Sequence, residues 1–157
     1  MMLLTKLGIT AWLCATALWD VRTATIPNWL TLPVMATVGG WRLYQWSWNV
    51  LFIWAMLYLV WRANILGGGD TKLLMGLFAL FPTLDFALIF SAVVLIVSVP
   101  LIVARHWGKH PADILWAIVD RVQAGRLLPS REELEEHGQS YAWTFCLPGV
   151  IYLWLLW

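Results

Sequence analysis

Two aspartates stand apart from the other acidic residues of this 157-residue chain by their surroundings. Asp85 lies at a tight turn, and the remaining acidic residues fall in one polar stretch, residues 105–139. Asp20 and Asp70 instead lie where a polar loop meets an apolar segment, a costly place for an ionisable group and therefore an indication of function. Two carboxyls held close together do not both ionise easily, so one can activate a water while the other keeps its proton. That is the chemistry of aspartic peptide hydrolysis.

The residues that precede Asp70 indicate unusual backbone freedom. Gly67, Gly68 and Gly69 come directly before it, and Lys72 follows just inside the next apolar segment. Glycine permits backbone angles and close approaches that a side chain prevents. A loop without a function accounts for one glycine more easily than for three. We therefore expect a peptide main chain to approach Asp70 here.

The residues that follow Asp20 indicate a break before the next helix. Pro27 fixes that break, and Asn28 is placed either to hydrogen-bond a substrate backbone or to cap the helix. Asp20 and Asp70 are fifty positions apart, so any meeting between them is tertiary. From the residues alone an alternative stays open, in which each aspartate caps a helix or pairs with Arg22 or Lys72.

The composition predicts a membrane protein. The chain is 61% hydrophobic and 12% charged, against about 45–50% and about 25% in an ordinary globular domain. A soluble domain of this length cannot bury so much apolar surface. Disordered chains have low hydrophobicity and high net charge, so this composition also excludes disorder. The net charge of +1 argues against nucleic acid as a partner.

Six apolar segments predict an all-α, polytopic fold of about six transmembrane helices in a single domain over residues 1–157. The segments cover approximately residues 3–19, 28–44, 48–62, 71–81, 86–104 and 141 to the C-terminus. Many of the thirteen tryptophans fall near the ends of these segments, as in an aromatic interfacial belt. We therefore expect the lipid bilayer to surround the chain.

Lys and Arg residues predict the orientation of the helices. Eight of the ten fall in or beside the loops 20–27, 62–70 and 105–139, which alternation of six spans puts on one side. The positive-inside rule makes that side cytoplasmic, and it holds both aspartates. The polar loop 105–139 is expected to carry short amphipathic helices. Its three histidines show no ligand geometry, so we expect no metal site.

Two segments resemble the paired motifs of type IV prepilin peptidases. Residues 20–28 read DVRTATIPN, similar to the first aspartate motif of that family. Residues 67–74 read GGGDTKLL and resemble its second motif, GxGDxKL, at the matching order and spacing. Residues 141–150 are loosely similar to the proline motif of the family's last helix. Presenilin-like proteases also carry GxGD, but nothing here resembles their Pro-Ala-Leu motif.

The resemblance implies an aspartic endopeptidase of the inner, cytoplasmic membrane that removes the leader of prepilins and pseudopilins at the cytoplasmic face. By that resemblance Asp20 and Asp70 are the catalytic pair, and neither a cofactor nor a metal is needed. The residues expected to support the motifs or bind substrate are Gly67, Gly69, Lys72, Asn28 and Pro27.

The two cysteines bear on the subfamily. Long members of the family carry an insertion with paired CxxC motifs and also methylate the new N-terminus. Cys14 and Cys146 form no CxxC, and we expect them to be small buried hydrophobic residues. The chain therefore resembles the short peptidases of tight-adherence (Flp) pilus systems.

Two other classes of function remain to be weighed. One is a non-enzymatic membrane assembly component of a pilus or secretion system, although both catalytic-type aspartates are intact. The other is a small transporter that uses Asp20 and Asp70 as ion ligands. That class predicts inverted repeats, and the sequence contains none.

Overall fold

The computed structural model describes residues 2–106 and 142–157, which form six α-helices and no strand. The helices are α1 (Met2–Thr23), α2 (Asn28–Tyr44), α3 (Asn49–Arg62), α4 (Gly68–Leu80), α5 (Leu84–His106) and α6 (Ala142–Leu155). The prediction of an all-α fold is therefore confirmed for these residues. The short amphipathic helices predicted in the polar loop lie outside the described residues.

Local backbone signals explain where α1 and α4 differ from the predicted segments. Ala24 takes a left-handed conformation, with φ of 49°, and its N–H donates to the Asp20 carbonyl at 2.7 Å. This is the usual way to end a helix, so α1 runs past Trp19 to Thr23. Gly67 has extended backbone angles at the N-cap of α4, which therefore begins before Thr71. Asp20 and Asp70 both lie inside helices as a result.

Two inner helices, α4 and α6, hold the bundle together. The α4 helix packs against α2, α3 and α6, and α6 packs against α1, α4 and α5. Gly149 of α6 lies so close to its neighbours that a Cβ there would be 3.0 Å from Leu77 Cδ2 and 3.1 Å from Leu13 Cδ1. Small residues of this kind let helices approach closely where apolar surface alone gives little specificity.

The helices alternate in direction, as polar contacts at the two ends show. At one end α1 finishes beside the start of α6, where the Ala142 N–H donates to Asp20. At the other end Arg42, near the end of α2, donates to the carbonyls of Ala79 and Leu80 at 3.1 Å each. The α2 and α4 helices are therefore parallel. We call the end where α1 finishes and α2, α4 and α6 begin the site end.

In the part of the chain that the structure describes, two helices are long and apolar enough to cross a membrane: α1, and α5 over Leu84–Leu101. The α3 and α6 helices are apolar but shorter. Large apolar side chains are exposed along the outer helices, among them Leu4, Phe52, Leu59, Leu88 and Ile96. Exposed apolar surface on this scale is typical of proteins that face lipid or a partner. The count of six spans stays a prediction.

We expect Gly149→Val to lower the free energy of unfolding by about 1–3 kcal/mol, because its new methyl groups must displace the fully buried Leu13 and Leu77. Thermal unfolding in detergent measures the change. Gly40→Val in α2 is the matched control, since a Cβ there meets nothing within 4 Å. Equal stability of the two variants would contradict the close packing of α6.

Candidate active site

Asp20 is buried at the site end of the bundle. It lies in the last turn of α1 and is 4% exposed. Its Oδ2 accepts a hydrogen bond from the backbone N–H of Ala142, the first residue of α6, at 2.9 Å. The alternative that this aspartate caps a helix is therefore partly correct, but the helix is α6, which follows 122 residues later. A pair of carboxyls that shares acid and base work requires a second carboxyl near this one.

Asp70 provides that second group. It lies in the first turn of α4 and is half-buried, and its carboxylate interacts electrostatically with that of Asp20. A Cβ on Gly67 would lie 3.1 Å from Asp70 Oδ2, so a side chain at position 67 would crowd the carboxylate. The turn is fixed by Thr71, whose hydroxyl donates to the Gly67 carbonyl at 2.9 Å. The fold thus brings together the two aspartates that the sequence singles out.

Gly69 has a different role from Gly67. A Cβ at position 69 would lie 2.9 Å from Ile26 Cβ and 3.3 Å from the Ile26 carbonyl oxygen. The absence of a side chain therefore lets the α1–α2 loop contact the first turn of α4. That loop directly follows the helix end that carries Asp20. Gly69 is in this way the point where the two aspartate-bearing segments are held against each other.

Lys72 and Asn28 form a second contact at the site end. Lys72 Nζ donates to Asn28 Oδ1 at 2.6 Å, which joins the N-terminal part of α4 to the start of α2. Pro27 is the N-cap of α2, with φ of −71° and ψ of 141°, so it precedes the first helical turn rather than lying in it. The structure thus brings Lys72 and Asn28 together and sets them beside the Gly69 contact. Arg22 is exposed at the end of α1.

The start of α6 is the part of the site that the sequence reading missed. Cys146, one turn after Ala142, is buried and lies within electrostatic range of both Asp20 and Asp70. Cys14 is exposed, so the expectation that both cysteines are buried is wrong for this one, which lies on the outer surface of α1. The signal available was the spacing of small residues at positions 142, 146 and 149, which is typical of a close-packed helix face.

Among residues 2–106 and 142–157, no group of three or more His, Cys, Asp or Glu side chains is arranged to hold a metal ion. Two of the three histidines considered above, at positions 110 and 137, lie outside these ranges. The described part of the site offers two interacting carboxyls, with a lysine and an asparagine nearby.

Comparison with known proteins gives the family. A model of the type IV leader peptidase family matches residues 7–103, which is more than half of the chain and includes both aspartates. The chain belongs to this family. Neither the curated proteins nor the solved structures give a match. The resemblance drawn from the two aspartate motifs is confirmed at the level of the family.

Family membership has three consequences for the chain. It supports type IV leader peptidase activity in general, and with it a protease. Prepilins are the implied class of substrate. Together with the two long apolar helices, membership also indicates a membrane protein. The matched residues end within α5, so α6 contributes to the site from outside the matched range.

Gly69→Ala tests the contact between the α1–α2 loop and α4. We expect leader cleavage to fall about tenfold or more, because the new methyl group pushes Ile26 away and small displacements of catalytic groups are costly. Rates of cleavage in membranes at equal protein level measure the effect. Gly68→Ala is the neighbouring control, since its Cβ would make an ordinary 3.5 Å contact with Trp61 Nε1. Equal rates for the two variants would show that the contact at position 69 is not needed.

Proposed function

We propose that the chain is an aspartic endopeptidase in which Asp20 and Asp70 are the catalytic pair. One observation carries the proposal: two carboxyls from α1 and α4 interact at the same end of a largely apolar bundle. Ionisable groups in apolar surroundings are energetically costly, so they commonly mark functional sites. Membership of a leader peptidase family indicates the reaction, hydrolysis of a peptide bond, and a pair of carboxyls is sufficient to catalyse it.

The two carboxyls divide the acid and base work. One, ionised, takes a proton from a water whose oxygen attacks the scissile carbonyl carbon. The other, protonated, donates its proton to the carbonyl oxygen, and a tetrahedral diol forms. Collapse of the diol breaks the C–N bond. The departing amine takes a proton from the carboxyl that first accepted one, and a diol hydroxyl returns its proton to the carboxylate that first donated one. No covalent intermediate with the protein is formed.

The substrate we propose is a type IV prepilin of the Flp-like class. Its apolar helix would stay in the bilayer while the junction with its polar leader reaches the site end. The absence of a CxxC motif supports this subfamily, because Cys14 and Cys146 are too far apart in the sequence to form one. Methylation of the new N-terminus is accordingly not part of the proposal.

The location we propose is the inner membrane, with one multi-pass peptidase domain and its site end facing the cytoplasm. The apolar side chains exposed along α1, α3 and α5 support contact with lipid on several sides. The distribution of Lys and Arg supports the orientation: among the described residues, Arg22, Arg62 and Lys72 lie at the site end. Arg42, at the other end, is engaged with the last carbonyls of α4.

Asp20→Asn and Asp70→Asn should each lower cleavage about a hundredfold to ten-thousandfold, the range for loss of a general acid or base. The assay is co-expression with a Flp-type prepilin in membranes, followed by the leader-shortened product on a gel. Asp85→Asn is the matched control, because Asp85 is exposed at the start of α5 and belongs to the opposite end of the bundle.

Each outcome of that experiment separates the proposal from its alternatives. Cleavage by either site variant at the level of the Asp85→Asn control would remove that aspartate from the mechanism. A non-enzymatic assembly component predicts that neither substitution alters the prepilin. If the wild-type chain leaves the Flp-type prepilin uncut, prepilins of other classes are tested in the same membranes before the enzyme is abandoned.

A further inference from the structure

The hydrogen bond between Ala142 and Asp20 joins segments that are far apart in the sequence. The donor is the backbone N–H at the start of α6, and the acceptor is Oδ2 of a buried carboxylate in the last turn of α1. In the first turn of a helix an N–H has no partner within the helix, so it is free to serve another group. Here that group is a member of the proposed catalytic pair.

The surroundings of the hydrogen bond between the Ala142 N–H and Asp20 strengthen it. Asp20 is 4% exposed, so water competes little for its oxygen. A hydrogen bond from a helix N-terminus to a carboxylate is assisted by charge and by the helix dipole. Because backbone atoms cannot rotate away as a side chain can, such a donor holds the carboxylate oxygen in one place.

The packing of α6 keeps the donor in position. Ala142 and Cys146 are both buried, and Gly149 lies against Leu13 of α1 and Leu77 of α4. The same face of α6 therefore touches the two helices that carry the aspartates. Cys146, one turn further along α6, lies within electrostatic range of both carboxylates.

We infer that the backbone N–H of Ala142 positions Asp20 for catalysis, so that docked α6 is a working part of the active site. The inference rests on the proposed function, since it assigns Asp20 a catalytic role. It extends the site beyond residues 7–103, the range that the family model matches. The N–H acts through Asp20 and does not itself touch substrate, so it is a positioning group.

An amide-to-ester replacement at position 142 tests the inference with little change in shape. Lactic acid is incorporated in place of Ala142 by nonsense suppression, which exchanges the N–H for an ester oxygen. We expect kcat for prepilin cleavage to fall about tenfold to hundredfold, as for loss of one hydrogen bond to a charged group. KM should stay within about twofold of the parent, because uniform substrate binding is unchanged.

A second readout separates positioning from loss of structure. The replacement is made in a Cys14→Ala chain, so that the buried Cys146 is the only thiol, and its reaction with a maleimide reports whether α6 is docked. We expect Cys146 to stay as protected as in the parent while kcat falls. The matched control is the same ester chemistry at Trp143, whose N–H is the next one in the first turn of α6.

Three results would overturn the inference: parent-level kcat in the position-142 ester, an equal loss in the Trp143 ester, or a Cys146 that becomes reactive. The last would mean that the hydrogen bond holds α6 rather than Asp20. Asp20→Asn, measured alongside, keeps the two proposals distinct. If it is inactive while the position-142 ester is fully active, only this inference fails; if it is active, the proposed function fails as well.

Discussion

The burial of one carboxylate is the constraint on which the site end of this bundle depends. Asp20 lies in an apolar helix and is almost fully removed from solvent. A buried charge without partners costs several kcal/mol or changes its protonation state. The fold meets this demand with a backbone N–H from the start of α6. This hydrogen bond requires α6 to pack against α1. The relative position of the two helices is therefore set in the absence of substrate.

Asp70 is oriented by a helix that is held at both ends. At the site end Lys72 reaches Asn28 of α2, and at the other end Arg42 of α2 binds the last carbonyls of α4. The two parallel helices are thus joined along their length. In the first turn the loop residue Ile26 contacts Gly69 directly. A carboxyl supported in this way needs little rearrangement to keep its geometry, which favours preorganisation of charge at the site.

The sequence predicted the helices better than their contacts. Asn28–Tyr44 has the bounds expected, because Pro27 marks its start clearly. Apolar content could not reveal that α1 continues to Thr23 or that α4 begins at Gly68, since both additions are polar or glycine-rich turns set by backbone geometry. The family was recognised from two short motifs whose residue types are specific. Catalysis by the two aspartates stays a prediction.

What the sequence could not predict lies in tertiary packing. Lys72 was one expected partner of an aspartate, but it is two positions from Asp70, and residues so spaced point to different faces of a helix. Its hydrogen bond is with Asn28, which lies forty-four positions earlier. The donor to Asp20 is a backbone N–H, so the residue type at position 142 does not predict the hydrogen bond. Only the small residues of α6 hint at the close contact that brings this donor to the site.

The two motif glycines constrain how a peptide reaches the carboxyls. The space left by the missing side chain of Gly69 is filled by Ile26, so that face of the α4 turn is closed to a substrate main chain. The space beside Gly67 borders Asp70 Oδ2 instead, and Gly67 itself is exposed. Of these two sides, the Gly67 side is the open one, since among the described residues only Asp70 itself lies within 4 Å of a Cβ there. The two glycines therefore have different structural roles: Gly69 makes room for the loop that follows α1, and Gly67 leaves space beside the Asp70 carboxylate.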